Sequence, residues 1–217
     1  MIRKFCSLVF CVVASLLLLA GCSCHPPSAA QFMNVKMDED KQGGSLVVGG
    51  VLKSGDVYRG RYKFERDYIS AEGAGNLDIS LFYRYSHLVF GTNIENLSFR
   101  GVAGWRSKYI GIQFWGGSSI SPVDRENSPI YGGLMLIEEY PINANVRIGA
   151  SEHISRNGYF VDENLGWGST YSTGFYNEFG IGSYFGYKNF SIEFRYGREI
   201  GEPRNRIYFM MHYAFFN

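Results

Sequence analysis

Cysteine, surplus charge and helical periodicity are all scarce in this chain of 217 residues. All four cysteines lie at or before Cys24, which excludes the disulfide framework that stabilises many small exported domains. The formal net charge is only +1, so the chain lacks the basic surplus of proteins that bind nucleic acids. The histidines lack the spacing of a zinc site, and nothing in the sequence predicts a metal or a cofactor. Beyond the leader no segment carries an apolar stripe at helical spacing, which argues against a helical fold.

Residues that favour strands are abundant instead. Aromatic residues make up 17% of the chain, which also contains 27 glycines, and aromatic side chains are enriched in strands. From Ser45 onward polar and apolar residues alternate, as in the segment NLDISLFYRYSH. There Leu77, Ile79 and Leu81 share one face and Asp78 and Ser80 the other, because successive side chains of a strand point to opposite sides. This period of two predicts an all-β protein.

The first residues have the features of an export signal. Arg3 and Lys4 precede an apolar run that ends in small residues, as in a secretory signal peptide. The quartet Leu19-Ala20-Gly21-Cys22 resembles the processing site of bacterial lipoproteins, which implies cleavage before Cys22 and an acyl chain such as palmitate on its sulfur. We therefore expect a signal peptide over residues 1–21, a flexible lipid-anchored tether over 22–43 and a barrel domain over 44–217.

The predicted strands are joined by connections that are alternately short and long. Counting back from the C-terminus gives eight strands, at 76–90, 96–105, 109–116, 129–139, 143–153, 172–186, 190–198 and 206–216. A further hairpin turning at Ser54-Gly55 would raise the number to ten. Long connections are predicted at 117–128, 154–171 and 199–205, and short ones at 106–108, 140–142 and 187–189. Short turns at one end, long loops at the other and an even strand count are typical of outer-membrane barrels, so we predict an up-and-down antiparallel barrel of that type.

The two faces of these strands differ in chemistry. A barrel in lipid turns its aliphatic face outward, and its narrow lumen tolerates charges only when they pair. We expect the lumen to hold a charge network formed by Asp78, Arg84, Arg100, Arg147, Glu178, Glu193 and Arg195. Aromatic residues near strand ends fit interface girdles, with carbohydrate stacking as the alternative: Tyr83, Tyr85, Trp105, Trp115, Tyr140, Trp167 and Tyr187.

One segment suggests chemistry. In GASEHISRNGYFVDENLGW, His153 and Ser155 lie two residues apart where a strand enters a predicted long loop. A nucleophilic serine needs an adjacent base and a group that orients the base, and Glu163 in the same segment could supply the third group. The arrangement resembles the histidine-serine motif of outer-membrane lipid A deacylases, which would make Ser155 the nucleophile and His153 the base. Arg156 interrupts that motif, and the alternative is a polar rim without catalytic function.

The sequence favours a non-enzymatic protein over an enzyme. The leading hypothesis is an outer-membrane β-barrel lipoprotein with an envelope-structural or surface-binding role carried by its loops, and it resembles the small opacity and adhesion-type barrels in pattern. The alternatives are an acyl hydrolase acting on lipid A or phospholipid, and a soluble lipocalin-like periplasmic carrier tethered by lipid. We expect a monomer in contact with outer-membrane lipid, without nucleic acid, and the sequence identifies no protein partner.

Overall fold

Ten antiparallel strands close into a barrel in the computed structural model, which describes residues 25–36, 42–57, 69–95, 98–119, 130–164 and 169–215. Each strand pairs with its neighbours in the chain, and β1 also pairs with β10 to close the sheet. The strands are β1 (Gln42–Val57), β2 (Ile69–Tyr85), β3 (Leu88–Glu95), β4 (Ser98–Arg106), β5 (Ile110–Ser119), β6 (Tyr131–Pro141), β7 (Val146–Asn164), β8 (Ser169–Tyr187), β9 (Phe190–Glu199) and β10 (Asn205–Ala214). Within the described residues a short helix, α1 (Ala29–Asn34), precedes them. The predicted antiparallel barrel is confirmed, with the larger of the two strand counts.

The N-terminal strands differ from those predicted. β1 runs unbroken through Ser54-Gly55, where the sequence predicted a hairpin. Gly55 has a φ of +102° and the register with β2 shifts between Lys53 and Gly55, where Ser54 lies opposite two residues of β2. This glycine therefore adjoins a bulge in the sheet and not a turn. The chain reverses instead at Ser86 and His87, inside the predicted strand 76–90. Because glycine occurs both in bulges and in hairpin turns, the pair Ser54-Gly55 did not distinguish between them.

The two ends of the barrel have different connections. At the end we call the turn end, strands are joined through residues 86–87, 107–109, 142–145 and 188–189. At the opposite loop end, the connections are 58–68, 96–97, 120–130, 165–168 and 200–204. The predicted long connection at 154–171 is wrong, because β7 and β8 pair continuously from Val146 with Tyr187 to Asn164 with Ser169.

The chain before β1 lies inside the barrel. Every residue from His25 to Val35 is buried, and α1 contacts β5, β6, β8 and β9. We call residues 25–36 the plug. The predicted flexible tether over 22–43 is wrong for the plug, because the plug makes hydrogen bonds and apolar contacts with the lumen wall. Cys22 and the predicted signal peptide over residues 1–21 lie outside the described residues.

The plug has a defined direction in the lumen. The His25 backbone nitrogen lies 3.3 Å from Oε2 of Glu95, the last residue of β3 at the loop end. The Val35 carbonyl accepts a hydrogen bond from Arg84, and Arg84 lies next to the 86–87 turn. The plug therefore runs from the loop half of the lumen to the turn end, where β1 begins.

Strand side chains alternate between lumen and exterior as predicted. On β9, Glu193 and Arg195 are fully buried, whereas Phe194 is 49% and Tyr196 39% exposed. Across the barrel the exposed outer positions carry mainly isoleucine, leucine, phenylalanine and tyrosine. No helix among the described residues is long and apolar enough to cross a bilayer.

Candidate functional site: the plugged lumen

The N-terminal part of the plug is held through its backbone carbonyls. Arg100 donates to the carbonyl of His25. Arg195 donates to those of Pro26 and Pro27 at 3.0 and 2.8 Å. Proline has no backbone N–H, and carbonyl groups buried without a partner would be costly. The two arginines satisfy these carbonyls, so the wall stabilises an extended segment that could not satisfy them itself.

Glu193 receives the first turn of α1. Its carboxylate accepts a hydrogen bond from the Ser28 hydroxyl at 2.8 Å and lies 3.4 Å from the backbone nitrogens of Ala29 and Ala30. The Ser28 oxygen in turn accepts from the Gln31 backbone N–H at 3.2 Å. The first N–H groups of a helix have no partner within it, so Ser28 and Glu193 together cap this end. The Arg195 guanidinium pairs with the same carboxylate.

The other end of α1 receives positive charge. Arg106 donates to the carbonyls of Met33 and Val35, and Arg84 donates to Val35 at 3.2 Å. Arg147 donates to the side-chain oxygen of Asn34. The last carbonyls of a helix lack internal partners and attract cations. The wall therefore places a carboxylate at the N-terminal end of α1 and three arginines near its C-terminal end, which is the arrangement that the helix dipole favours.

Between these polar ends the plug packs by shape. Phe32 and Met33 are buried to 1% exposure or less. Both face wall positions occupied by glycine. A Cβ at Gly111 would lie 2.6 Å from the Met33 sulfur, and one at Gly104 would lie 2.8 Å from Phe32 Cζ. The wall around α1 is apolar and includes Val47, Val89, Val102, Trp115, Met135, Ile137 and Ala214. The lumen therefore has an apolar belt that the sequence-based network did not include.

A first charge cluster lies in the loop half of the lumen around Glu95. Its carboxylate contacts Lys53 Nζ at 2.8 Å and Arg100 Nη2 at 2.9 Å. Asn76 donates to the same carboxylate at 2.6 Å. All four side chains are buried, so the pairing supplies the compensation that buried charges require.

A second charge cluster surrounds Glu178. His153 Nε2 lies 3.2 Å from its Oε1, and Arg206 Nη1 and the Tyr208 hydroxyl lie 3.2 and 2.8 Å from its Oε2. Arg206 also pairs with Glu199 at 2.7 Å. Asp78, farther round the wall, accepts from Asn93 at 2.5 Å and lies 3.6 Å from His212 Nε2.

The predicted network residues all have their side chains on the lumen side. Asp78, Arg100, Glu178, Glu193 and Arg195 are fully buried, and Arg84 and Arg147 are half-buried near the turn end. They form separate clusters rather than one network. Five of them contact the plug directly, namely Arg84, Arg100, Arg147, Arg195 and Glu193. Sequence reasoning missed Lys53, Glu95, Glu139, Arg106 and Arg206, although strand parity alone could have placed Arg106 with Arg100.

His153 and Ser155 do not form the hydrogen-bonded pair that a nucleophilic serine requires. His153 and Ser155 both face the lumen in the middle of β7 and are 2% and 4% exposed. His153 binds Glu178, and Ser155 Oγ has no hydrogen-bond partner among the described residues. A serine nucleophile needs a base within hydrogen-bond reach. Glu163 lies in β7 opposite Thr170, but its side chain lies outside the described part.

The inner face also bears on the carrier hypothesis. A soluble carrier of an apolar ligand requires an apolar lumen with space for that ligand. Here the loop half of the lumen is lined with paired charges, and the apolar belt is occupied by Phe32 and Met33 of the plug. Both observations argue against that hypothesis. No group of three or more histidine, cysteine or acidic residues suited to a metal occurs in the described ranges.

Aromatic side chains ring the outside of the turn end. Tyr85, Trp105, Tyr140 and Tyr187 are 40 to 66% exposed and lie at strand ends next to the turns. Tyr109 and Tyr213 extend the ring at 51 and 47%. Trp115, which the sequence assigned to such a girdle, instead points into the lumen at 6% exposure, and Trp167 is outside the described residues.

Comparison with solved structures finds similarity to outer-membrane β-barrel proteins. The structure is similar to that of neisserial surface protein A, with a TM-score of 0.44 and 12% identity over 79% of this chain and 95% of that one. The N-terminal β-barrel domain of Pseudomonas aeruginosa OprF gives 0.36 and 7%, covering 79% and 97% of the two chains. The attachment invasion locus protein Ail of Yersinia pestis gives 0.35 and 13%, covering 80% and 98%. No family model and no curated protein matches this chain.

Proposed function

We propose that this chain is an outer-membrane β-barrel lipoprotein whose lumen is closed by its own N-terminal segment. Its role is envelope-structural or surface-binding, carried by the connections at the loop end. The observation that carries the proposal is the inversion of the barrel's two faces, with an apolar exterior around paired charges.

The exterior supports insertion into lipid. Outer positions of consecutive strands are apolar, as on β2, where Ile79, Leu81 and Tyr83 are 36 to 56% exposed. Exposed apolar surface of this extent is unfavourable in water, because its burial in lipid would stabilise the protein by about 25 cal/mol for each Å². Aromatic girdles mark the interface of such barrels, and the ring at the turn end matches one. Short turns face the periplasm in such proteins, so the loop end would face the cell exterior.

The plug supports a structural or binding role rather than transport. It occupies the lumen with apolar contacts at its centre and hydrogen bonds to charged groups at both ends. We therefore expect a lumen filled in this way to have no continuous aqueous path through the apolar belt. The connections at the loop end of the barrel therefore remain available to a partner.

Lipid attachment at Cys22 is the second part of the proposal and rests on the leader sequence. Metabolic labelling with a palmitate analogue should label the wild-type chain and not Cys22→Ala. A Cys22→Ala chain that retains the label would contradict acylation at this residue while leaving the barrel proposal intact.

The barrel proposal is tested by folding. We expect the chain without residues 1–21 to fold only in detergent micelles or vesicles and to migrate faster on a gel when unheated than when boiled. A Cys22→Ala chain that folds and stays soluble without detergent would contradict the proposal, because the exposed outer face would then tolerate water.

Closure by the plug is tested by conductance. The wild-type barrel should show no steady conductance in a planar bilayer, whereas deletion of residues 25–36 should produce a steady channel. A matched control is deletion of five residues from the connection at 120–130, which leaves the plug in place. An equal conductance of the wild-type and plug-deleted barrels would contradict closure by the plug.

A further inference from the structure

The outer face of the barrel carries two arginines that break its apolar pattern. The described strands contain nine lysines and arginines, of which seven face the lumen and two, Arg156 and Arg198, face outward. Both outward arginines are exposed. Arg198 is the last but one residue of β9, and Arg156 pairs with Gly132, the second residue of β6. Both therefore lie level with the loop ends of the strands next to the long β7–β8 hairpin, with β8 between them.

The register across β8 brings the two arginines to nearly the same height. Arg156 pairs with Asn177, and Arg198 pairs with Phe179 two residues lower on β8. Strands lie about 4.8 Å apart and rise about 3.4 Å per residue. The two α-carbons are therefore about 12 Å apart, and their side chains can converge above Asn177, which is also exposed.

Aromatic and aliphatic side chains form the floor beside these cations. The Arg156 guanidinium stacks over the Phe175 ring at 4.0 Å. Phe175 and Phe179 are 43 and 48% exposed, and Ile154 and Ile181 continue the apolar surface toward the middle of the barrel at 53 and 50%. A charged rim above an apolar surface matches a lipid, with its polar headgroup at the rim and its acyl chains below.

The acidic groups that line the surface beside Arg198 already have cationic partners. An open cleft of about 410 Å³ adjoins Arg198 and is lined also by Phe179, Glu199, Ile200, Gly201, Glu202 and Pro203. Glu199 pairs with Arg204 and Arg206, and Glu202 lies 3.6 Å from Arg204. Within the described residues no ion pair joins these carboxylates to Arg198 or Arg156, so the positive charge of both arginines faces outward.

We propose that Arg156, Asn177 and Arg198 form an outer-face site for the phosphate groups of a membrane lipid. The proposal rests on the barrel lying in the outer membrane, with its loop end at the outer leaflet. Guanidinium groups bind phosphate through paired N–H donors. The Asn177 amide can donate between them, and Phe175 and Phe179 contact the acyl chains.

The experiment is a titration of the detergent-folded barrel with diphosphoryl lipid A, followed by native mass spectrometry. The double variant Arg156→Gln/Arg198→Gln should bind about tenfold more weakly or worse, because hydrogen bonds to charged groups are among the stronger ones. The matched control is Lys108→Gln/Lys188→Gln, which removes two exposed cations at the turn end. It should bind like the wild type, and phosphatidylcholine should bind weakly to all three proteins.

Three results would overturn the site. They are equal binding by the arginine variant, an equal loss in the lysine control, and equal binding of phosphatidylcholine and lipid A by the wild type. Each leaves the barrel proposal intact, provided the wild type folds in detergent. A chain that folds without detergent would overturn both proposals, because no lipid would then cover the outer face.

Discussion

The inner and outer faces of the same strands obey opposite rules. On β9 the lumen side carries Glu193 and Arg195 in one ion pair, and the outer side carries Phe194 and Tyr196. Inside, a charge is stable because a partner and the plug satisfy it. Outside, an apolar side chain is stable because lipid surrounds it. Adjacent residues should therefore respond to the same kind of substitution in opposite ways.

The largest effect is expected from Glu193→Gln. The change leaves the Arg195 guanidinium without its buried partner and weakens the cap of α1, and breaking a buried pair costs about 3–5 kcal/mol. Urea unfolding in micelles, followed by tryptophan fluorescence, measures the free energy of unfolding. The control is Glu152→Gln on the outer face, where removing an exposed charge should leave stability unchanged or raise it. Equal losses in the two variants would contradict the difference between the faces.

A charge placed on the outer face should have the next largest effect. Leu81 lies on the outer side of β2, opposite Thr92 in the middle of β3, and is 56% exposed. An arginine at the bilayer midplane of a barrel costs about 2–4 kcal/mol, falling to about 0–1 near the interface. Leu81→Arg should therefore destabilise the barrel in vesicles more than Leu88→Arg, at the turn end. If the outer face met water, Leu81→Arg would destabilise the barrel no more than Leu88→Arg.

Gly111→Val tests the fit of the plug against the wall. Its Cβ would lie 2.6 Å from the Met33 sulfur and 3.3 Å from Phe32, and overpacking a core costs about 1–3 kcal/mol. Hydrogen exchange in Ala29–Asn34 should become faster while the strands keep their protection. At the outward Gly101 the nearest atom is the Gly116 carbonyl oxygen at 3.8 Å, so Gly101→Val should leave exchange in α1 unchanged. Unchanged exchange in both variants would contradict the close fit.

The smallest effect is expected from Ser28→Ala. Ser28 caps α1 and donates to Glu193, and loss of such a cap costs about 1 kcal/mol. Exchange of the Gln31 amide should accelerate several-fold, with little change at the other end of the helix. Ser183→Ala, at an exposed outer position on β8, provides the control. An unchanged Gln31 rate would show that Glu193 alone holds this end of the plug.

The facing of individual strands could be read from the sequence because it depends on local geometry. Leu77, Ile79 and Leu81 share one side of β2 through the period of two, whatever the rest of the chain does. The predicted lumen charges follow from the same parity. The position of a turn is harder to predict, since Gly55 lies beside a bulge within β1 and β2 and the reversal at Ser86 and His87 uses no glycine.

The plug could not be predicted in this way. Residues 25–36 are short, partly polar and without a strong periodic pattern, so their composition resembles that of a linker. Their order comes from partners far away in the chain. Ser28 contacts Glu193 across 165 residues, and the Pro27 carbonyl contacts Arg195 across 168. Trp115 is a different case, because its parity with the buried Gln113 was enough to place it in the lumen.

The sequence by itself determined that this protein is an antiparallel barrel and which residues of its strands face outward. Alternation along a strand is a local property, and it persists in whatever sheet the strand joins. Only the tertiary structure decided that the barrel has ten strands closed by β1 and β10, and that the chain before β1 fills the lumen. Both depend on contacts between residues that are distant in the chain. The carboxylate at one end of α1 and the arginines at its other end can contact the helix only once the barrel has closed around it.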